Sequence, residues 1–174
     1  MKKIAILGST GSIGKQTLEV ITDFPGQFEV YGLAAHRQVD LLVEQVKKYR
    51  PKVVVLSGAE NSDELSSRLA GWQGRLLFGP EGMVELATDP EVETLVSAVV
   101  GIAGLPPTLA AVKAGKNVAL ANKESLVAAG ELVTSEMKNG RGRLMPIDSE
   151  HSAIFQVLMG QNLEELNSIY LTAS

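Results

Sequence analysis

Ile4-Ala5-Ile6-Leu7 runs directly into Gly8-Ser9-Thr10-Gly11-Ser12-Ile13-Gly14, and Thr17-Leu18-Glu19-Val20-Ile21 follows with apolar residues at helical spacing. No other stretch constrains the chain as tightly. An apolar strand, a glycine turn and an amphipathic helix, in that order, make the first βα step of an α/β fold. Gly8 and Gly11 let the backbone turn sharply and approach a bound group, and Gly14 removes a side chain where the helix must lie against the strand. The helix start then offers unpaired N–H groups and a positive dipole end, which suit a phosphate. The spacing is G-x-x-G-x-x-G rather than G-x-G-x-x-G, but it meets the same physical requirements. Behind the first strand of an alternating chain, it predicts a dinucleotide site.

The rest of the chain does alternate. Strands are expected at Phe28–Ala35, Val53–Leu56, Leu76–Phe78, Thr94–Val100, Asn117–Ala121 and Leu144–Ile147. Helices are expected between them: over Asp40–Arg50, with Leu42, Val46 and Tyr49 on one face; after an Asn61/Glu64 capping box, with Leu65, Leu69 and Trp72 in line; and around Met83, Leu132 and Phe155. Trp72 reads as a packing residue. Ser168–Thr172 reads as the start of another strand. Such alternation predicts a Rossmann-like, doubly wound, mainly parallel sheet.

Composition closes off several alternatives. The 174 residues carry a formal net charge of -4, which gives no basic surface for nucleic acid. With no cysteine, disulfides, thiolate metal sites and a cysteine nucleophile are excluded. That absence counts against the semialdehyde dehydrogenases and acyl-phosphate reductases, which begin with a similar glycine loop but need such a nucleophile. No apolar run approaches the roughly 20 residues that span a bilayer. Met1-Lys2-Lys3 enters the first strand without a leader, so a bacterial cytoplasmic protein is expected.

In open α/β sheets, ligands bind beyond the carboxyl ends of the strands. The second strand ends there in His36-Arg37-Gln38. An NAD site usually places an acid at this point, whereas a guanidinium pairs with a 2′-phosphate, so Arg37 indicates NADP; its other reading is a solvated arginine in a loop. His36 is a loop residue or a neighbour of the adenine. Asn122-Lys123-Glu124-Ser125 lies at another strand end and sets a cation beside a carboxylate. Glu124 either orients a ribose or Lys123, or forms a plain surface ion pair with it. Asp148 and Glu150 are hard oxygen donors suited to Mg²⁺ or Mn²⁺. On a regular strand they would face opposite ways, so sharing an ion requires a turn, and Asp148 serves equally well as a helix N-cap.

Four segments together resemble one family, the 1-deoxy-D-xylulose 5-phosphate reductoisomerases. They are Ile6 to Gly14, Gly101-Ile102-Ala103-Gly104-Leu105, Leu120-Ala121-Asn122-Lys123-Glu124-Ser125-Leu126, and Pro146 to Gln156 with its Asp148-Ser149-Glu150-His151 core. The resemblance implies NADPH- and divalent-metal-dependent (Mg, Mn or Co) conversion of 1-deoxy-D-xylulose 5-phosphate to 2-C-methyl-D-erythritol 4-phosphate. Carbon-skeleton rearrangement of the metal-chelated sugar precedes hydride transfer to the new aldehyde. By position it implies that Thr10, Gly11, Ser12 and Ile13, flanked by Gly8 and Gly14, cradle the pyrophosphate. His36, Arg37 and Gln38 fall at the adenosine end, where family members often carry Gly-Lys-Asn or Gly-Arg-Asn. Asn122 and Glu124 hold the nicotinamide side, Lys123 and Ser149 touch substrate, and Asp148 and Glu150 ligate the metal, with Lys123 and Glu150 catalytic.

The same resemblance implies residues 1-148 as an NADP-binding domain and 149-174 as the start of a catalytic domain. The family's chain is longer, so an N-terminal piece is expected that binds NADPH without turning over alone and exposes apolar surface. The whole enzyme is expected to be a homodimer acting on a phosphorylated sugar, with no nucleic-acid or membrane partner. A stand-alone NADP-binding sensor is the alternative from a different functional class.

Overall fold

A computed structural model describes residues 1–58 and 62–170. The first strand, β1 (Lys2–Leu7), lies at the centre of a seven-stranded sheet in which every pairing is parallel. To one side run β2 (Phe28–Ala35), β3 (Val53–Leu56) and β4 (Arg75–Phe78). To the other run β5 (Thr94–Ser97), β6 (Asn117–Leu120) and β7 (Leu144–Pro146). The order 4-3-2-1-5-6-7 reverses direction between β1 and β5, which opens a crevice beyond their carboxyl ends.

Helices cover both faces, as the central strands require. Ala5, Ile6 and Leu7 of β1 and all four residues of β3 are fully buried, which matches their uninterrupted apolar sequence. One layer consists of α1 (Ser12–Asp23), α2 (Val39–Tyr49) and α3 (Ser62–Arg68), which insert Leu18, Leu42, Val46 and Leu65. The other consists of α4 (Gly79–Thr88), α5 (Leu105–Lys113) and α6 (Lys123–Asn139), which insert Leu86, Ala111, Val112 and Val133. Trp72 packs against the first layer and donates its indole N–H to the Pro51 carbonyl at 3.2 Å, so it is a packing residue. Beyond α1, the first face of β5–β7 opens into an apolar hollow of about 310 Å³ lined by Ile13, Val20, Val96, Ala119 and Ile147. The last helix, α7 (Ser149–Leu158), buries no residue fully and exposes Phe155 and Val157.

Several boundaries differ from the expectation. The fifth strand stops at Ser97 rather than Val100, because the carbonyls of Val99 and Gly101 turn to the Asn122 side-chain amide, each at 2.8 Å. Arg50, expected inside the second helix, is its C-cap in the left-handed conformation, with φ 49°. The sixth helix is kinked at Ala129. Asn61, half of the expected capping box, lies outside the described residues. So do Leu171 and Thr172, and the strand expected there is absent over its described part, Ser168 to Tyr170. Tyr170 is 93% exposed and the stretch pairs with no strand of the sheet.

On the rim where strands begin, Asp89 ties α4 to the sheet. It is the C-cap of α4, its side chain is 6% exposed, and it pairs with Arg75 of β4. Tyr31 of β2 donates its hydroxyl to both Asp89 oxygens at 3.2 Å, and the Glu91 N–H donates to one at 3.0 Å. Burial, then the Asp89 charge, pushes the Tyr31 hydroxyl above its ordinary pKa. Asp89→Ala should cost about 1–3 kcal/mol of folding stability, because the buried Tyr31 hydroxyl loses its acceptor. A urea midpoint equal to wild type would show that the cluster contributes nothing.

Candidate active site

The glycine loop occupies the crevice between β1 and β5. Gly8 has φ +81°, and a Cβ there would lie 2.6 Å from the Ala98 carbonyl oxygen. A Cβ on Gly14 would lie 2.3 Å from the Gly8 oxygen, so α1 approaches the strand end at backbone distance. The N–H groups of Gly8 and Ser9 both donate to Ala34 of β2 at 2.9 Å, and Gly11 closes the turn onto the Gly8 oxygen at 3.0 Å. Gly11 is the N-cap of α1 and provides no side-chain cap, and the first turn holds no acidic residue. Ser12, Ile13 and Gly14 therefore point N–H groups with no intrahelical acceptor out of a helix end whose positive dipole no carboxylate offsets.

A buried glutamine holds this loop from behind. Ser9 donates its hydroxyl to Gln45 Oε1 at 2.7 Å, and Gln45 Nε2 donates to the Ser9 carbonyl at 2.8 Å. Sequence reasoning passed over Gln45. Its signal was a polar residue at 45 within the apolar stripe Leu42, Val46, Tyr49.

The crevice continues as an open cleft of about 340 Å³ lined by Gly8, Thr10, Gly11, His36, Gln38 and Val99, among others. At its far end β2 delivers His36, Arg37 and Gln38, all exposed. The His36 ring faces the Ser57 hydroxyl at 3.1 Å, and the Gly58 N–H donates to the His36 carbonyl at 3.0 Å. The residues just after β3 thus support this segment.

Asn122 is N-cap of α6 and only 1% exposed. Its Oδ1 accepts from the Ser125 N–H at 3.0 Å and from the Ser125 hydroxyl. Its Nδ2 donates to Val99 and Gly101 and lies 3.3 Å from Glu124 Oε2. The Asn122 side chain is therefore committed to shaping the wall of the cleft, while Lys123 stands exposed beside it.

After β7 the chain turns directly into α7. Asp148 sits at the N-cap of α7 with extended backbone, and Glu150 falls in the first helical turn. Asp148 makes no side-chain cap bond; its carboxylate instead meets His151 Nδ1 at 2.6 Å. The Ser149 hydroxyl donates to Glu150 Oε2 at 2.9 Å. The Glu150 carboxyl is held below its ordinary value, first by its own backbone N–H, then by Ser149, with the charges of Lys123 and His151 adding to the effect. Lys123 and Glu150, 27 positions apart in sequence, thus share one electrostatic environment. Among the described residues, no set of three or more His, Cys, Asp or Glu side chains converges as a metal centre. The Asp148 and Glu150 oxygens have the right hardness for Mg²⁺ but could supply only part of a six-coordinate shell.

The model of the 1-deoxy-D-xylulose 5-phosphate reductoisomerase family matches residues 4–130, and the model of that family's C-terminal domain matches residues 144–174. A reductoisomerase of this name from Chlorobium limicola is 49% identical over the whole chain, and one from Bacillus cereus is 44% identical. The chain spans about half the length of these curated relatives, 46% and 45% respectively. A crystal structure of DOX-P reductoisomerase in complex with NADPH, fosmidomycin and magnesium superposes with a TM-score of 0.86 at 44% identity, over 90% of this chain and 38% of that one. The enzyme from Zymomonas mobilis in complex with NADPH gives 0.85 at 39% identity, over 89% of this chain and 41% of that one.

Lys123→Ala should raise the Glu150 pKa, since the Lys123 charge favours the carboxylate. The value should stay below the ordinary one, because the hydrogen bonds remain. Carboxyl-carbon NMR titration reads this directly, and an unchanged Glu150 curve would separate the two residues.

Proposed function

We propose, for a chain that belongs to the 1-deoxy-D-xylulose 5-phosphate reductoisomerase family, that its residues bind NADPH and contribute to conversion of 1-deoxy-D-xylulose 5-phosphate into 2-C-methyl-D-erythritol 4-phosphate. One observation carries the cofactor reading: the uncapped, acid-free start of α1 opens behind Gly8 at the point where strand order reverses. The pyrophosphate lies against Gly8, Thr10, Gly11, Ser12, Ile13 and Gly14, where backbone N–H groups meet its charge. Arg37 and Gln38 take the 2′-phosphate, with His36 beside the adenine. Asn122 acts through the Val99–Gly101 wall it holds, and Glu124 flanks the nicotinamide ribose.

On the substrate side, Lys123 offers its ammonium to a phosphorylated sugar and Ser149 offers its hydroxyl. Glu150, its carboxyl held below the ordinary value, and Asp148 present oxygens to a divalent ion such as Mg²⁺ or Mn²⁺. When bound, NADPH supplies the hydride and the ion polarises the substrate's oxygens. Because the chain spans about half the length of its curated relatives, turnover is not expected from these 174 residues alone. The whole enzyme acts as a homodimer in the bacterial cytoplasm under this reading. No helix among the described residues is long and apolar enough to cross a membrane, and the net charge of -4 disfavours nucleic acid. The Asp148-Ser149-Glu150 junction, which a sensor would not need, weighs against a module that merely binds NADP.

The chain should bind NADPH in preference to NADH. Arg37→Ala should weaken NADPH by about tenfold or more while leaving NADH unchanged, as loss of a charged hydrogen bond implies. Calorimetric titration of both nucleotides checks this. An unaltered preference would remove Arg37 from the 2′-phosphate site.

A further inference from the structure

We infer that Gln45 is a positioning residue for the dinucleotide site, acting through its two-point amide clasp on Ser9. The inference rests on the NADPH reading above. Gln45 is 5% exposed and Ser9 fully buried, so neither touches a ligand in the cleft. Ser9 is fixed at every polar atom: its N–H on the Ala34 carbonyl, its carbonyl on Gln45 Nε2 and its hydroxyl on Gln45 Oε1. The next residue along the chain is Thr10, at the mouth of the cleft. Orienting the Ser9 carbonyl therefore sets the direction of the Thr10 N–H on the same peptide plane and, through it, the turn that leads into Ser12–Gly14.

The clasp also spans the site. Gln45 belongs to α2, whose N-cap is Gln38, directly after His36 and Arg37. The element that begins at the adenosine end thus reaches back 36 residues to hold the pyrophosphate loop. This side chain, together with the Gly8 and Ser9 N–H bonds to Ala34, holds the spacing between the two anion-binding points. A methionine of similar length fills the same volume but leaves the Ser9 carbonyl buried and unpaired, which favours loop conformations that turn it away. NADPH engages both points, whereas adenosine 2′-monophosphate engages only the outer one. A role confined to overall stability would not separate the two ligands.

The experiment compares both ligands on the wild-type chain and on Gln45→Met and Ser9→Ala. Gln45→Met should weaken NADPH about tenfold while changing adenosine 2′-monophosphate by less than about twofold. Ser9→Ala, which removes one contact of the clasp, should give a smaller loss with the same selectivity, and it decides the matter alone if Gln45→Met does not fold. Adding Ser9→Ala to Gln45→Met should cause no further loss, because the clasp is already gone. Undiminished NADPH binding, or equal losses for both ligands, would overturn the inference. A wild-type chain that binds neither ligand would defeat the functional reading itself, whereas wild-type binding with indifferent variants defeats the clasp alone.

Discussion

The Gly8 carbonyl oxygen lies 2.3 Å from the point where any other residue at 14 would carry a Cβ. That backbone-to-backbone approach fixes how α1 leaves β1, and the remainder of the site follows from it. Because the helix starts so close to the strand end, its first N–H groups open into the crevice where strand order reverses. The buried sheet supplies rigidity behind them: Ile6 and Leu7 have no exposed surface, and the Gly8 and Ser9 N–H groups are bonded to β2. The loop is thus held at a strand, at a neighbouring strand and at a helix, which is the preorganisation an anion cradle needs.

Stability and chemistry are separated along the strands. Where strands begin, Asp89, Tyr31 and Arg75 form a satisfied polar cluster that joins α4 to the sheet. Where they end, polar groups are arranged for other purposes. Buried ones, Asn122 and Gln45, spend their hydrogen bonds on shaping loops. Others, Arg37, Lys123 and Glu150, lie exposed at the surface. Burial therefore separates the polar residues of this rim into those committed to shaping loops and those that face solvent.

Much of this was legible in the sequence, for a physical reason. Buried parallel strands must be apolar along their whole length, so Ile4–Leu7 and Val53–Leu56 announce themselves, and glycine turns mark their ends. What escaped depends on partners distant in sequence. The early end of β5 is set by an amide 21 to 23 residues away, and the role of Gln45 by a serine 36 residues away. Asn122 illustrates the difference: its place at a strand end was plain, but its nearly complete burial was not. Asp148 was readable as either cap or ligand; it occupies the cap position while its carboxylate turns to His151. Ser168 to Tyr170 has the composition of a strand and forms none, because pairing is a property of the neighbour as well as of the segment.

The central claim is that backbone N–H groups at the start of α1 receive the cofactor's pyrophosphate. Amide proton and nitrogen shifts of the chain, followed as NADPH is added, test it most directly. The account predicts that the largest downfield movements fall on Thr10 to Gly14, with smaller ones at His36–Gln38 and Val99–Gly101. Shifts concentrated elsewhere, with Ser12, Ile13 and Gly14 unmoved at saturation, would contradict it.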